Sequence, residues 1–102
     1  MPVRIKSVKG GSWRTLETFW NVTTTAFFKA PANAQIKIRY SGWLVGVDRQ
    51  KQTLNGETIK KLEVSRWSVF TARVQIRSNS DITVTYYVEP GNLAVLPPGI
   101  NI

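Results

Sequence analysis

The side chains able to do chemistry in this sequence are mostly cationic. Fourteen Lys and Arg stand against six Asp and Glu, with no histidine and no cysteine, for a formal net charge of +8. Histidine is the commonest general base and metal ligand, and cysteine supplies thiolate nucleophiles and most structural zinc sites. Both are missing here. The six carboxylates are thinly spread and form no local pair suited to acid–base work. No phosphate-binding loop, dinucleotide fingerprint or nucleophile elbow is present. The expectation is a non-enzymatic protein with no cofactor and no metal site.

What the cations can do depends on the elements that carry them. Gln35-Ile36-Lys37-Ile38-Arg39-Tyr40 and Ala72-Arg73-Val74-Gln75-Ile76-Arg77 both alternate apolar with polar residues. Alternate positions of a strand share a face, so Lys37, Arg39, Arg73, Gln75 and Arg77 are expected on one basic sheet surface. Such a surface fits an acidic partner, either a protein or a nucleic acid. It also serves solubility and discourages edge pairing, as outward polar residues generally do.

The rest of the chain reads as short strands between turns. Val3 and Ile5, interleaved with Arg4 and Lys6, suggest a first strand ending before Gly10-Gly11-Ser12. Leu16, Phe19 and Trp20 have helical spacing, whereas the stretch from Asn21 to Phe28 is β-branched and aromatic and favours a strand. Ala30 to Ala34 breaks the chain, Ser41-Gly42 permits a bend, and Asp48 to Gln52 is turn-like. Asn55-Gly56 suits a tight hairpin, with Leu54 set across from Ile59 by a four-residue loop. The best hairpin joins Ser68–Ser78 to Ile82–Val88 around Asn79-Ser80-Asp81. Its register pairs Ile76 with Val84 and Val74 with Tyr86 inside, and Arg73 with Tyr87 outside, so that Tyr87 joins the basic face.

Seven or eight short strands predict an all-β fold, a single antiparallel β-sandwich of jelly-roll type spanning residues 1–89. Residues 90–102 form an extended tail with three prolines and five large apolar side chains. Leu93, Val95, Leu96 and Ile100 must pack on their own domain or on a neighbouring subunit, because in water they would gain nothing. Of the four tryptophans, Trp20 and Trp43 lie in apolar runs and are expected in the core. Trp13 and Trp67 have polar neighbours and are the candidates for exposed aromatics.

Together these features suggest a small structural subunit of a homo-oligomeric assembly, bound to an acidic protein surface. Phage capsid decoration and tail proteins are the expected kind. A nucleic-acid-binding β-barrel using the same basic face is the alternative, and a carbohydrate-binding module the third. No stretch approaches the about 18 apolar residues of a membrane span, and the N-terminal residues lack the apolar run of a signal peptide. A virion or cytoplasmic assembly is the expected location.

Overall fold

The computed structural model describes residues 3–20, 23–30, 34–42, 46–54, 59–64 and 71–102. Among them there is no helix, and eight strands carry the fold: β1 (Arg4–Val8), β2 (Arg14–Trp20), β3 (Thr24–Lys29), β4 (Gln35–Ser41), β5 (Gly46–Thr53), β6 (Lys60–Val64), β7 (Thr71–Arg77) and β8 (Ile82–Pro90). They form two antiparallel four-stranded sheets, ordered β1-β8-β3-β6 and β2-β7-β4-β5. Strand one pairs with eight, two with seven, three with six and four with five. The remaining contacts, β3 with β8 and β4 with β7, join these pairs into sheets.

Period-2 alternation explains why these segments are strands. Ala26 and Phe28 of β3, Ile36, Ile38 and Tyr40 of β4, Val74 and Ile76 of β7, and Val84, Tyr86 and Val88 of β8 enter one common core. Each large apolar side chain buried there contributes about 1.5–3 kcal/mol. Phe28 and Tyr86, opposite each other in register, stack with centroids 5.5 Å apart. The result is β-sandwich-like, and its principal extents of 35 × 34 × 18 Å fit two layers spaced about 10 Å apart.

Two hairpin expectations are overturned. β7 and β8 lie in different sheets, so Ile76 faces Arg14 and Ile36 while Val84 faces Lys6. The Asn79-Ser80-Asp81 segment therefore crosses between sheets. Gly10 lets the β1–β2 connection approach it, since a Cβ there would lie 2.6 Å from the Ser80 backbone. Likewise β5 pairs with β4 and β6 with β3, so Leu54 and Ile59 are not strand partners, although the Asn55-Gly56 turn lies outside the described residues. An inward apolar face is satisfied from either sheet, which is why matching patterns did not identify neighbours.

Three further segments differ from expectation. Leu16 and Phe19 both turn inward because a β-bulge falls between Thr15 and Glu17, so the helix-like spacing belongs to a bulged strand. Asp48 to Gln52 lies within β5, where a second bulge accompanies the positive φ of Gln50. In β1 it is Ile5 that faces outward, 69% exposed, while Arg4 and Lys6 share the side of Tyr86 and Val84. β1 is an edge strand, and its inner positions open onto the gap between the sheets, where long cationic side chains reach polar partners.

That gap is closed by side chains. The Arg4 guanidinium and the Tyr86 hydroxyl both donate to Glu17 Oε1, the latter at 2.8 Å, and Lys6 donates to the Leu16 carbonyl at 2.9 Å. On the opposite side, Gln50 Nε2 donates to the Glu63 carbonyl, and the Glu63 N–H donates back to Gln50 Oε1 at 2.9 Å. Gln52 Nε2 donates to the Lys61 carbonyl at 2.9 Å. Two glutamines thus occupy the open edge of β6, where an unpaired edge would invite another chain.

The C-terminal residues cross the outer face of the first sheet. The Thr25 hydroxyl donates to the Gly91 carbonyl at 2.7 Å and accepts from the Leu93 N–H at 3.0 Å, and Lys61 donates to the Leu93 carbonyl at 3.1 Å. Ala94, Val95 and Leu96 border an open groove of about 280 Å³ with Phe27, Ile59 and Lys61. Phe27 points away from the core yet is only 3% exposed. Val95 is 72% exposed, Leu93, Leu96 and Ile100 are half-buried, and Ile100 N–H closes a turn onto the Pro97 carbonyl.

Two expectations follow. Removing residues 92–102 uncovers Phe27 and should lower stability in urea by about 2 kcal/mol, with new binding of an apolar dye. Tyr86 is pushed up to about 12 by its burial and then by Glu17. Between pH of about 10, the ordinary tyrosine value, and the folded value, the unfolded chain releases this proton and the folded chain keeps it. Stability should fall as pH rises through that window. In urea titrations Tyr86→Phe should lose about 1 kcal/mol at neutral pH and show a weaker decline across the window.

Candidate functional site: the outer face of the second sheet

Cross-strand partners in an antiparallel sheet share a face, so the register defines what the outer surface of β2-β7-β4-β5 presents. One row reads Thr18, Arg73, Arg39, Asp48; the row on one side reads Thr15, Gln75, Lys37; that on the other reads Trp20, Thr71, Ser41, Gly46. Gln35 stands between Arg77 and Thr53 at the far end. Neighbouring positions in a row are about 4.8 Å apart, and rows are about 6.8 Å apart along the strands.

Of the residues expected here, the structure brings Lys37, Arg39, Arg73, Gln75 and Arg77 together on this face. Tyr87 is not among them. It belongs to β8 in the other sheet, opposite Phe27, is 4% exposed, and donates to Glu89 at 3.1 Å. Its placement on the basic face depended on the β7–β8 hairpin, which does not form.

The five differ sharply in what they offer a partner. Lys37 is only 7% exposed: its ammonium lies 4.1 Å from the centroid of the Trp13 ring and 3.1 Å from Asp48 Oδ2. A buried ammonium is costly without such partners. Trp13, a candidate for a free exposed aromatic, is half-buried with Lys37 and lies 5.8 Å from Lys51 Nζ. Arg39 donates to Asp48 Oδ1 at 2.9 Å, and Gln75 donates to Thr15 Oγ1 at 3.2 Å. The Arg39 guanidinium, with Lys37 beside it, holds the Asp48 carboxyl below its usual range. Arg73 and Arg77 are exposed and have no ion-pair partner among the described residues.

Trp20 corrects a further expectation. Instead of entering the core it stands 72% exposed on this face. The bulge near Leu16 sets the phase of β2, sending Phe19 inward and Trp20 outward. The sequence signal that could have found it is Phe19-Trp20 itself, since consecutive strand residues cannot both face the core. Trp43 and Trp67 lie outside the described residues.

Gly46 allows the Arg39–Asp48 contact. The guanidinium lies over the glycine, and an added Cβ would fall 2.7 Å from Arg39 Cζ. No group of three or more metal-ligating carboxylates occurs among the described residues, and none of their helices could cross a membrane, since they form none. In comparisons with known proteins, no family model, no curated protein and no solved structure matches this chain.

Gly46→Ala should displace Arg39, a flexible side chain, while leaving the backbone in place. The Asp48 carboxyl would then titrate closer to its ordinary value. Its depressed value in the wild type adds stability that is present above the unfolded carboxylate value and lost as pH falls through the folded one. Carboxyl-detected NMR titration of both proteins should show the upward shift in the variant.

Proposed function

We propose that this protein is a non-enzymatic structural subunit of a homo-oligomeric assembly, of the small virion type such as a phage capsid decoration or tail protein. It docks on an acidic protein surface through the outer face of its second sheet. The observation that carries this reading is the pair of exposed arginines, Arg73 and Arg77, that have no ion-pair partner among the described residues, on a face that also bears the exposed Trp20. Arg and Trp are the residue types that concentrate binding energy at protein interfaces. The jelly-roll reading of the fold is supported by the nested pairing of one with eight, two with seven, three with six and four with five.

Other surfaces are less open. The inter-sheet gaps carry Arg4, Lys6, Gln50 and Gln52 contacts, and the first sheet's outer face is crossed by the tail. A nucleic-acid partner uses the same face, but its polyanionic backbone needs a track of free cations with aromatics for successive bases. Here Lys37 and Arg39 are tied to Asp48, and Trp13 is engaged with Lys37. A point-like acidic contact fits better than a phosphate track. The proposed location is a virion or the cytoplasm where it is assembled.

Light scattering of the purified protein at low and high salt, with the 260/280 nm absorbance ratio, tests this. An assembly of defined size, free of nucleic acid and persisting at high salt, is the expected result. A monomer carrying nucleic acid that high salt strips away would sink the reading.

A further inference from the structure

We infer that Arg73 and Arg39 together form the seat for a carboxylate side chain of the partner protein, with Trp20 as the apolar half of the contact. The inference rests on the docking reading of this face and names its anchor. Arg39 and Arg73 are directly opposite each other on adjacent central strands. Like charges so placed are destabilising, and among the described residues only one of the two is compensated, by Asp48. Arg73 is exposed, with no ion-pair partner among the described residues.

Asp48 shows what the seat accepts. It occupies the same cross-strand row, on the far side of Arg39, and its carboxylate is held by Arg39 at 2.9 Å. A guanidinium has five N–H donors in a fixed fork, so Arg39 has donors left after that bond. A second carboxylate between Arg39 and Arg73 makes the row alternate in sign: Asp48, Arg39, the incoming group, Arg73. The two guanidiniums then share one anion instead of repelling.

The surroundings define the rest of the ligand. Trp20 lies one row away, on the same face, about 6.8 Å along the sheet. Between it and Gly46, the row holds only Thr71 and Ser41. An acidic side chain with a flat or apolar neighbour would fill both positions. A phosphate track would pass over Asp48 and be repelled there, which favours an acidic protein segment over nucleic acid.

The test uses the full chain with two probes of matched charge, poly-L-glutamate and single-stranded oligo-dT, by titration calorimetry at low salt. Poly-L-glutamate should bind, and Arg73→Gln should weaken it about tenfold or more, the range of an interface hot spot. Lys9→Gln makes the same charge change at an exposed position outside this face and should cost no more than about twofold, whereas Arg77→Gln, about 13 Å along the strand from Arg73, should cost clearly less than Arg73→Gln. Asp48→Asn removes the internal competitor and should tighten binding severalfold. Circular dichroism melts confirm that each variant is folded.

Equal small losses for Arg73→Gln and Arg77→Gln would overturn the seat while leaving the face as a diffuse docking surface. Binding unaffected by either variant, or absent altogether, would overturn the docking reading and the seat with it. Tighter binding of oligo-dT than of poly-L-glutamate, lost in the same variants, would assign the face to nucleic acid and overturn the carboxylate seat.

Discussion

Two four-stranded sheets that are not joined by backbone ladders leave gaps along their sides, and polar backbone groups there need partners. In this protein side chains provide them. Gln50 acts as a strand surrogate: its carboxamide both donates to and accepts from Glu63, as a neighbouring residue of a ladder would. Gln52 adds a donor for Lys61. Across the molecule Lys6 caps the Leu16 carbonyl, while Arg4 and Tyr86 converge on Glu17. Because β1 is an edge strand, Arg4 and Lys6 can occupy inward positions without burying an unpaired charge. Ile5, displaced from the interior by this arrangement, stands in solvent.

Closing the sides in this way concentrates what the molecule presents. The outer face of the first sheet holds Phe27 with the C-terminal residues beside it, tied down through Thr25 and Lys61. The outer face of the second sheet is the complement: polar, basic and carrying the exposed ring of Trp20. Even there three of the charges are already engaged with one another. Asp48 holds two cations, Trp13 lies against one of them, and Gly46 makes room for the guanidinium of the other. A net charge of +8 therefore overstates the cationic surface available at this face, where Arg73, Arg77, Lys51 beside Trp13 and the unused edge of Arg39 stand without an ion-pair partner among the described residues.

Much of the architecture was legible in the chain. Alternation in Gln35–Tyr40 and Ala72–Arg77 identified both strands and assigned Ile36, Ile38, Val74 and Ile76 to the interior. It also placed Lys37, Arg39, Arg73, Gln75 and Arg77 on a single surface, which the β4–β7 register confirms residue by residue. These are local properties: a period of two follows from strand geometry, whichever partner the strand finds. The bulged segment around Leu16 was harder, because an inserted residue converts alternation into spacing that mimics a helix.

Partner choice between strands was decided only by tertiary structure. Ser80 connects β7 to β8 across the core, not within one sheet, and the inward pattern of Val74, Ile76, Val84 and Tyr86 is equally consistent with both. That single ambiguity moved Tyr87 from the basic face to the opposite sheet. Which cations remain free was equally unreadable, since Asp48 and Lys37 are 11 residues apart and meet only through the β4–β5 ladder. By itself the sequence determined strand identity, inward and outward faces and the sign of the surface, because these depend on neighbours along the chain. Strand order, the closure of the gaps and the pairing of charges depend on neighbours across it.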